Sequence, residues 1–522
     1  MVATSQPLAV AAGLKILADG GNAADAAVAT AAALNVTAPT STGIGGDCFA
    51  LYYESKRRKI HALNGSGRAP QALTLQRLRQ EGFGTELPPY HPYTVTVPGA
   101  CAAWCDLVET FGQLDMPKVL APAIRLADEG FPVAPIVAHA WAHGVEQQLS
   151  AALNGFELTI EGRAPQTGEI FRNPGLARTF AAVADGGKKA FYEGEIAAAI
   201  AHVLKQAGGC LSEEDLGRHT STWETPISTT YRNLRLWECP PNGQGLVTLL
   251  ALNILAGYDL AALPPLSPER IHLQIEALRL AFADARQFVA DPDFSPAPLE
   301  KLLSAEYATA RRLQIDPKRA NPLQGYGRPS GSDTVYLSII DAEGDACSLI
   351  NSNYMGFGTG IVPSGWGFSL QNRGHNFTLV EGHPNAPAPG KRPYHTIIPA
   401  LATHADDDAL FACFGVMGGF MQPQGHIQVL IGLADDGLDP QAALDRPRFY
   451  LMDGRPDGQV AIEEGLPRST MDTLAGMGHE VVSVSGYERS IFGKGHVIVS
   501  DRSSGVLWGG SDPRGDGCAM TL

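Results

Sequence analysis

The residue with the clearest capacity for chemistry in this chain is Thr334, which stands directly after a turn-forming connector and at the head of an apolar strand pattern. Residues 322–331 are rich in Gly, Pro and Ser, and residues 331–338 then change to β-branched and aromatic types. A turn at 341–345 and a return strand at 346–351 complete the pattern of a hairpin. Thr334 is therefore predicted at the entrance of this hairpin.

A threonine hydroxyl is a weak nucleophile at neutral pH, and an α-amino group on the same residue is one way to activate it. That amine exists only if the chain is cut between Asp333 and Thr334. It would titrate near pH ~8, so it could accept a proton under physiological conditions. Cleavage would thus create a nucleophile and a base together. Threonine also favours strands for packing reasons alone, so these residues by themselves favour a structural role.

Several short segments, in order along the chain, resemble motifs of the γ-glutamyltransferase family, whose members are N-terminal-nucleophile hydrolases. They are residues 20–29, 43–47, 283–286, 290–294, 351–360, 391–393, 417–419 and 510–514. Each segment is common singly, whereas their shared order is specific. The resemblance implies a four-layer αββα sandwich and a self-cleaving enzyme that acts on γ-glutamyl compounds such as glutathione.

The resemblance also implies a set of catalytic residues. Thr334 would attack an amide carbonyl, the amine would leave, and water or an acceptor amine would resolve the acyl-enzyme. Ser352 falls where the family carries a hydroxyl that orients the nucleophile. Gly418 and Gly419 match the family's oxyanion motif, and glycines let two backbone N–H groups approach a developing oxyanion. An ordinary glycine turn is the alternative for this pair.

The residues matched to the substrate pocket depart from the family pattern. A γ-glutamyl donor carries a carboxylate and an ammonium, so its pocket should present an arginine to the first and a carboxylate to the second. The family's arginine position falls on Ser66, although Arg68 lies two residues away and could replace it. The aspartate position falls on Asn376, and Arg373 stands at a nearby acidic or amide position. These changes favour an anionic acyl group over one with an ammonium.

The other predicted substrate-binding residues are also altered. Tyr354 stands where better-known members carry asparagine, and Asn372 completes the set beside Arg373. His395 and Thr396 replace a serine pair that binds the donor carboxylate, which preserves hydrogen bonding there. A solvated rim is the alternative interpretation of Arg373 and His395.

Hydrophobic patterning predicts an α+β fold. Helices are predicted at 7–18, 100–111, 116–129, 181–191 and 268–290, with Asn22 and Asp25 capping another after 18. Strands are predicted at 48–53, 59–63, 334–341, 346–351, 409–416 and 496–500. Helices thus dominate 100–310 and strands follow Thr334.

Cleavage would give a large fragment, 1–333, and a small one, 334–522, that share one integrated fold. The short, proline-rich segment 377–390 predicts an open site.

Composition narrows the class of protein. The 522 residues carry a net charge of −15, which disfavours binding to nucleic acid or to anionic membranes. Eight scattered cysteines predict reduced thiols, and Cys101 with Cys105 fits helix packing better than a metal pair. No metal ion or cofactor is predicted. The missing signal-peptide pattern at the N-terminus predicts a cytoplasmic location.

The sequence therefore predicts a γ-glutamyltransferase-like enzyme with a small-molecule amide substrate, built as a heterodimer of its own two fragments. Whether these heterodimers pair further is left open. The altered pocket keeps a second possibility, an amidohydrolase for a small anionic amide such as oxamate or an acylase for a dicarboxylic side chain. An uncleaved, inactive binding protein is the third.

Overall fold

The computed structural model describes residues 1–321 and 333–522, so the predicted connector at 322–331 and Ser332 lie outside it. The helices are α1 (Pro7–Ala18), α2 (Ala23–Thr37), α3 (Leu75–Gln80), α4 (Ala100–Phe111), α5 (Met116–Glu129), α6 (Pro135–Gly144), α7 (Pro174–Tyr192), α8 (Glu195–Gln206), α9 (Glu213–Gly217), α10 (Gly245–Leu255), α11 (Pro268–Phe288), α12 (Leu299–Leu302), α13 (Ala305–Arg312), α14 (Met421–Ala434), α15 (Pro440–Asp445) and α16 (Arg468–Gly476). The strands are β1 (Val2–Thr4), β2 (Asp47–Glu54), β3 (Lys59–Gly65), β4 (Phe131–Pro132), β5 (Ile170–Phe171), β6 (Thr222–Glu224), β7 (Ile227–Tyr231), β8 (Leu234–Glu238), β9 (Asp333–Ile340), β10 (Ala346–Tyr354), β11 (Ala400–His404), β12 (Leu410–Val416), β13 (Phe449–Leu451), β14 (Val460–Glu463), β15 (Val481–Val484), β16 (Gly495–Ser500), β17 (Leu507–Ser511) and β18 (Cys518–Met520).

Two large sheets organise the molecule. The first has the order β18-β1-β9-β10-β2-β3-β6, and the second has the order β17-β16-β12-β11-β8-β7. Strand β9, which carries Thr334, lies between β1 from the start of the chain and β10 of its own hairpin. Both sheets combine strands from before and after Thr334, so neither side of that residue could form them alone.

Three apolar cores hold these sheets in place. One lies between the first sheet and helices that include α1, α2 and α4, where the alanine-rich α2 is buried along its whole length. Another joins the two sheets through residues such as Phe49, Tyr336 and Ile498. A further core lies between the second sheet and α10, α11 and α14. The α+β class is confirmed by this mixture of helices and sheets.

Most predicted elements are present with small changes of boundary. The predicted helices at 7–18, 100–111 and 116–129 are α1, α4 and α5, and Asn22 caps α2 together with Asp25 as expected. Cys101 and Cys105 are buried free thiols on α4. None of the described helices is both long and apolar enough to span a membrane.

The predicted separation of helices from strands is wrong in two places. Strands β6, β7 and β8 lie inside the region predicted as helical. The sequence does not predict them because their polar and apolar residues alternate over only a few positions. Helix α14 lies among the predicted strands, and Pro423 and Gly425 in its first turns hide its helical pattern.

The proline-rich segment 377–390 packs against the body of the protein, since Phe377 and Leu379 join an apolar core with Leu78 and Tyr93.

Asn351 ties β10 to the helical layer. Its Nδ2 donates to Thr42 Oγ1 at 2.9 Å and to the Gly43 carbonyl at 3.0 Å, and its Oδ1 accepts from Trp104 Nε1 at 3.1 Å. The side chain is fully buried. Buried polar groups need such partners, so this one amide fixes two segments, the loop at Thr42 and Gly43 and helix α4, beside the strand that carries Ser352.

Replacing this amide should destabilise the protein. We expect Asn351→Leu to lower the free energy of unfolding by about 2–4 kcal/mol, because Trp104 Nε1 and the Gly43 carbonyl lose their partner in the interior. Urea unfolding followed by circular dichroism measures this change. Gln166→Leu, at an exposed position, is the control and should lower the free energy of unfolding by less than about 0.5 kcal/mol. Equal effects at the two positions would show that Asn351 does not fix these segments.

Candidate active site

Thr334 and Ser352 face each other across neighbouring strands at the centre of the first sheet. Thr334 is the second residue of β9, Ser352 lies near the end of β10, and both are fully buried. Their hydroxyl oxygens are 3.2 Å apart. Ser352 Oγ also accepts from the Tyr354 backbone N–H at 2.9 Å and from Arg373 Nη2 at 3.2 Å. A hydroxyl has two lone pairs, so these two donors favour Ser352 as the donor to Thr334.

The end of β10 is bent so that its residues surround Thr334. The pairing of β10 with β9 shifts between Asn351 and Tyr354, as in a β-bulge. Tyr354 has a φ of 83°, which is rare for a residue with a bulky side chain. Its hydroxyl donates to Asn376 Oδ1 at 2.6 Å, and its ring lies 4.4 Å from the Arg373 guanidinium carbon. The strained turn therefore supplies one wall of the site.

Arg373 is a buried cation in contact with this wall. Its Nη1 donates to Thr396 Oγ1 at 2.7 Å, and its Nε has no hydrogen-bond partner within the described ranges. Burial lowers the pKa of Arg373 to about 10, so the guanidinium stays charged at neutral pH. Its side chain is fully buried, so the solvated-rim interpretation of Arg373 is wrong. Buried charges require compensation, and the charge of Asp47 acts on this guanidinium without a direct ion pair among the described residues.

His395 contacts Asp47, which is the first residue of β2. Its Nε2 is 2.9 Å from Asp47 Oδ2, and its Nδ1 accepts from the Ile397 backbone N–H, so the proton resides on Nε2. Burial holds the pKa of His395 well below its usual range, and the ring is neutral. The rim interpretation is therefore wrong for His395 too.

Asp47 joins several segments behind the site. Its Oδ1 accepts from the backbone N–H groups of Gly67 and Gly99 and from Gln371 Nε2. Burial raises the pKa of Asp47 to about 7, while the charge of Arg373 and these donors act in the opposite direction. Sequence reasoning placed Asp47 in a family-like motif but gave it no role. Its partners are distant in sequence, so no local pattern could have revealed them.

Gly418 and Gly419 lie between β12 and α14. Their φ angles of 118° and 58° are in the left-handed region, which glycine adopts without strain. Neither backbone N–H donates a hydrogen bond to any of the described residues. Gln244 Nε2 donates to the carbonyls of Thr396 at 2.6 Å and Gly419 at 2.8 Å, which links the pair to the Arg373 side of the site. Two unused N–H groups at a helix N-terminus suit an oxyanion.

Three predicted substrate-binding residues have other partners. Ser66 Oγ donates to Asn64 Oδ1 at 2.7 Å and is fully buried. Arg68 lies 3.5 Å from Asp293, with 28% of its side chain exposed. Asn372 donates to the Pro89 carbonyl at 2.8 Å and accepts from a backbone N–H. None of these three belongs to the group of residues in contact around Thr334, which comprises Ser352, Tyr354, Arg373, Asn376 and Thr396.

A group with possible metal-ligand atoms lies elsewhere, between α11 and β15. His272, Glu276 and His479 bring one ligand atom each within 4.8 Å of one another. His272 Nδ1 and His479 Nε2 are already hydrogen-bonded at 2.8 Å, and His272 Nε2 bonds the Asp316 carbonyl. The Arg279 guanidinium, 3.2 Å from Glu276, opposes an added cation. These contacts join His272, His479 and the Asp316 carbonyl in a buried hydrogen-bond network.

Comparison with known proteins identifies the family. The sequence model described as gamma-glutamyltranspeptidase matches residues 9–522. The chain belongs to this family. It is 36% identical to the glutathione hydrolase-like YwrD proenzyme of Bacillus subtilis (strain 168), over 100% of this chain and 98% of that protein. It is 32% identical to the oxamate amidohydrolase proenzyme of Klebsiella pneumoniae, over 99% of this chain and 98% of that protein.

Structural comparison agrees with this family assignment. The cephalosporin acylase from Bacillus halodurans is similar in fold with a TM-score of 0.93 and 46% sequence identity, over 100% of this chain and 95% of that one. The predicted resemblance to γ-glutamyltranspeptidases is thereby confirmed, and relatives named as proenzymes fit activation by autocatalytic cleavage. The names of these relatives cover different substrates, so family membership does not determine the substrate.

The Ser352 hydroxyl should matter for self-cleavage of this γ-glutamyltranspeptidase-family chain. We expect Ser352→Ala to slow fragment formation by about 10- to 100-fold, because a positioned hydrogen bond to the Thr334 hydroxyl is lost. Ser352→Thr keeps the hydroxyl and should retain most of the rate. Gel or mass analysis of timed samples measures the rate.

Ser348 is a matched control on the same face of β10. Its hydroxyl is also buried and bonds the Tyr336 hydroxyl at 2.7 Å, away from Thr334. Ser348→Ala should therefore form fragments at a rate close to that of the unmodified chain. If Ser348→Ala and Ser352→Ala slowed cleavage equally, the effect would come from packing and not from the contact with Thr334.

Proposed function

We propose that this chain is a self-cleaving amide hydrolase whose nucleophile is Thr334. The contact between the Thr334 and Ser352 hydroxyls, with Arg373 on the same Ser352 oxygen, carries this proposal. Cleavage before Thr334 frees an α-amine that can take the hydroxyl proton. The two sheets with helical cores outside them support the four-layer αββα sandwich expected of N-terminal-nucleophile hydrolases.

The proposed reaction has an acylation stage and a deacylation stage. Thr334 Oγ forms a bond to the amide carbonyl carbon, and its proton passes to the α-amine. The N–H groups of Gly418 and Gly419 stabilise the oxyanion. The C–N bond breaks as the leaving nitrogen takes the proton from the α-ammonium. Water then attacks the ester carbonyl carbon as the same amine accepts its proton. The bond from that carbon to Thr334 Oγ breaks as the α-ammonium returns the proton to Oγ, which releases a carboxylic acid and restores the hydroxyl.

The acyl group should carry a carboxylate. Arg373 is a buried cation with an unpartnered Nε and no direct carboxylate partner among the described residues. An anionic acyl group would compensate this charge and could form charge-assisted hydrogen bonds. The relative named oxamate amidohydrolase acts, by its name, on an amide whose carbonyl bears a carboxylate. We therefore place dicarboxylic monoamides first as substrates.

Hydrolysis of γ-glutamyl compounds such as glutathione is the second candidate. A relative named glutathione hydrolase-like supports it, and the γ-glutamyl carboxylate could also bind Arg373. Its ammonium, however, finds no charged partner at Asn376. The Oδ1 of that residue accepts from the Tyr354 hydroxyl, and its Nδ2 donates to the Tyr394 carbonyl at 3.1 Å. A γ-glutamyl group should therefore bind without the contact that favours it elsewhere.

The two predicted fragments, 1–333 and 334–522, should remain together after cleavage. In the first sheet β9 and β10 of the small fragment lie between β1 and β2 of the large one. In the second sheet β11 pairs with β8 across the same division. Separation would expose both edges and the core between the sheets, so we propose a stable heterodimer with a small-molecule amide as substrate.

A panel of anilides tests the substrate class. Oxalyl, glutaryl, γ-glutamyl and acetyl 4-nitroanilides release the same coloured amine, so their kcat/KM values differ only through the acyl group. We expect the oxalyl or glutaryl compound to react fastest. Arg373→Gln should lower the kcat/KM of this compound about 10- to 100-fold more than that of the acetyl compound, because only the anionic acyl group loses a buried charge-assisted contact, whereas the loss of the hydrogen bond to Ser352 affects both.

Arg373→Lys is the matched variant, which keeps the positive charge but not the planar guanidinium. Its kcat/KM for the anionic compound should lie between that of the unmodified chain and that of Arg373→Gln. Fastest turnover of the γ-glutamyl compound would place the second candidate first. A cleaved protein that turns over none of these amides would contradict the proposed function, and a chain that stays uncleaved would favour the binding-protein alternative.

A further inference from the structure

Asp47 lies in the same row of the first sheet as the two hydroxyls of the candidate active site. It is the direct cross-strand partner of Ser352 between β2 and β10, and Ser352 contacts Thr334 on the next strand, β9. Paired residues of antiparallel strands direct their side chains to the same face, with Cβ atoms about 5 Å apart. Phe49, two residues further along β2, belongs to the core between the two sheets. Asp47 therefore points into the same space, beside the reacting hydroxyls.

Each of the described groups that hydrogen-bonds the Asp47 carboxylate is a donor. Oδ1 accepts from the backbone N–H groups of Gly67 at 2.9 Å and Gly99 at 3.2 Å and from Gln371 Nε2 at 3.1 Å, and Oδ2 accepts from His395 Nε2 at 2.9 Å. His395 keeps its proton on Nε2, since its Nδ1 accepts from a backbone N–H. A proton on Asp47 would find no acceptor among these four partners. The arrangement therefore suits the charged carboxylate and opposes burial, which raises the pKa of Asp47 to about 7.

Two routes of contact lead from Asp47 to Arg373. In the first, Gln371 donates to Asp47 through Nε2, and its Oε1 accepts from the Arg373 backbone N–H at 3.3 Å. In the second, His395 donates to Asp47, and the next residue, Thr396, accepts from Arg373 Nη1 at 2.7 Å. Asp47 thus contacts the residues that hold both the backbone and the guanidinium of Arg373. The position of the carboxylate relative to the guanidinium is therefore fixed from two sides.

The charges of Asp47 and Arg373 offset each other. Burial lowers the pKa of Arg373 and the charge of Asp47 raises it, while burial raises the pKa of Asp47 and the charge of Arg373 lowers it. Within the described ranges the two groups form no direct ion pair, and the terminal nitrogens of Arg373 donate to Ser352 and Thr396 instead. The two charges together add no net charge to the site. An anionic acyl group would be attracted by Arg373 and repelled by Asp47.

We propose that Asp47 determines how strongly the site prefers an anionic acyl group: its carboxylate offsets the charge of Arg373, so a carboxylate on the substrate gains less than it would from the guanidinium alone. The site can then also accept a neutral acyl group without leaving a buried charge unbalanced. This inference deepens the proposed function and rests on it for the kinetic effect. The coupling between the charges of Asp47 and Arg373 is a separate property that can be measured without turnover.

Asp47→Asn removes the charge and keeps the shape and the Oδ1 acceptor. Its effect is measured with the oxalyl and acetyl 4-nitroanilides at about pH 8.5, where the Asp47 carboxylate and the α-amine are mainly deprotonated in the unmodified chain. We expect the ratio of the two kcat/KM values, oxalyl over acetyl, to rise about 5- to 10-fold in Asp47→Asn, because the charge of Arg373 is no longer offset. A merely structural role for Asp47 would lower both values and leave the ratio unchanged.

Glu238 is a matched control in the second sheet. Its carboxylate is also fully buried and lies 2.8 Å from a buried histidine, His426. Glu238→Gln removes a carboxylate charge from the same kind of pair on β8 and α14. We expect its oxalyl-to-acetyl ratio to stay within about twofold of that of the unmodified chain.

Calorimetric unfolding of the Thr334→Ala chain, in which no fragments are expected, tests the charge coupling without turnover. We expect Asp47→Asn to lower Tm by about 3–6 °C when Arg373 is present and by less than about 1 °C when it is combined with Arg373→Gln, because only the first change leaves a buried charge unbalanced. Coupled unfolding without turnover of any anilide would contradict the proposed function and support the charge coupling. Additive effects of the two substitutions, or an oxalyl-to-acetyl ratio that stays unchanged or falls in Asp47→Asn, would overturn the inference.

Discussion

The hydrogen bonds between Ser352, Thr334 and the buried Arg373 guanidinium are the interaction on which the site depends. Burial of a full positive charge costs free energy because the charge loses its hydration. The surrounding groups must therefore hold the guanidinium in one geometry. Ser352 and Thr396 accept from its two terminal nitrogens, and the Tyr354 ring lies against its face. The unusual backbone of Tyr354 is then understandable, since it places both the ring and an N–H donor around the same hydroxyl. An anionic substrate would complete this arrangement.

The fold preserves that geometry through the proposed cleavage before Thr334. Thr334 lies inside a sheet whose neighbouring strands come from both sides of the cut, so a new N-terminus can form without loss of the surrounding strands. Behind the site, Asp47 binds Gly67, Gly99, Gln371 and His395 at once, which joins segments of both proposed fragments. The resulting network makes the active site a property of the assembled fragments. Neither fragment contains it alone.

Sequence alone predicted the local parts of this site better than its distant contacts. Thr334 and Ser352 could be found because a strand start and a motif place them on adjacent strands. The charge change at Arg373 and Asn376 was visible in one short segment. The contact of His395 with Asp47 joins residues 348 positions apart, and Gln244 reaches Thr396 and Gly419 from a third segment. Such contacts depend on sheet order and core packing, which local patterns do not encode. The same limit explains why Ser66, chosen by position in a motif, has structural partners instead.

The central claim is that one residue serves as both the cleavage point and the nucleophile. The most direct measurement is mass spectrometry of the purified protein and of Thr334→Ala, followed by peptide mapping after a brief reaction of the cleaved protein with an acyl anilide. The account predicts two fragments, the second beginning at Thr334, only in the unmodified chain, and an added acyl mass on the peptide that carries that N-terminus. Fragments of Thr334→Ala with the same boundary, or an acyl group on another residue, would contradict it.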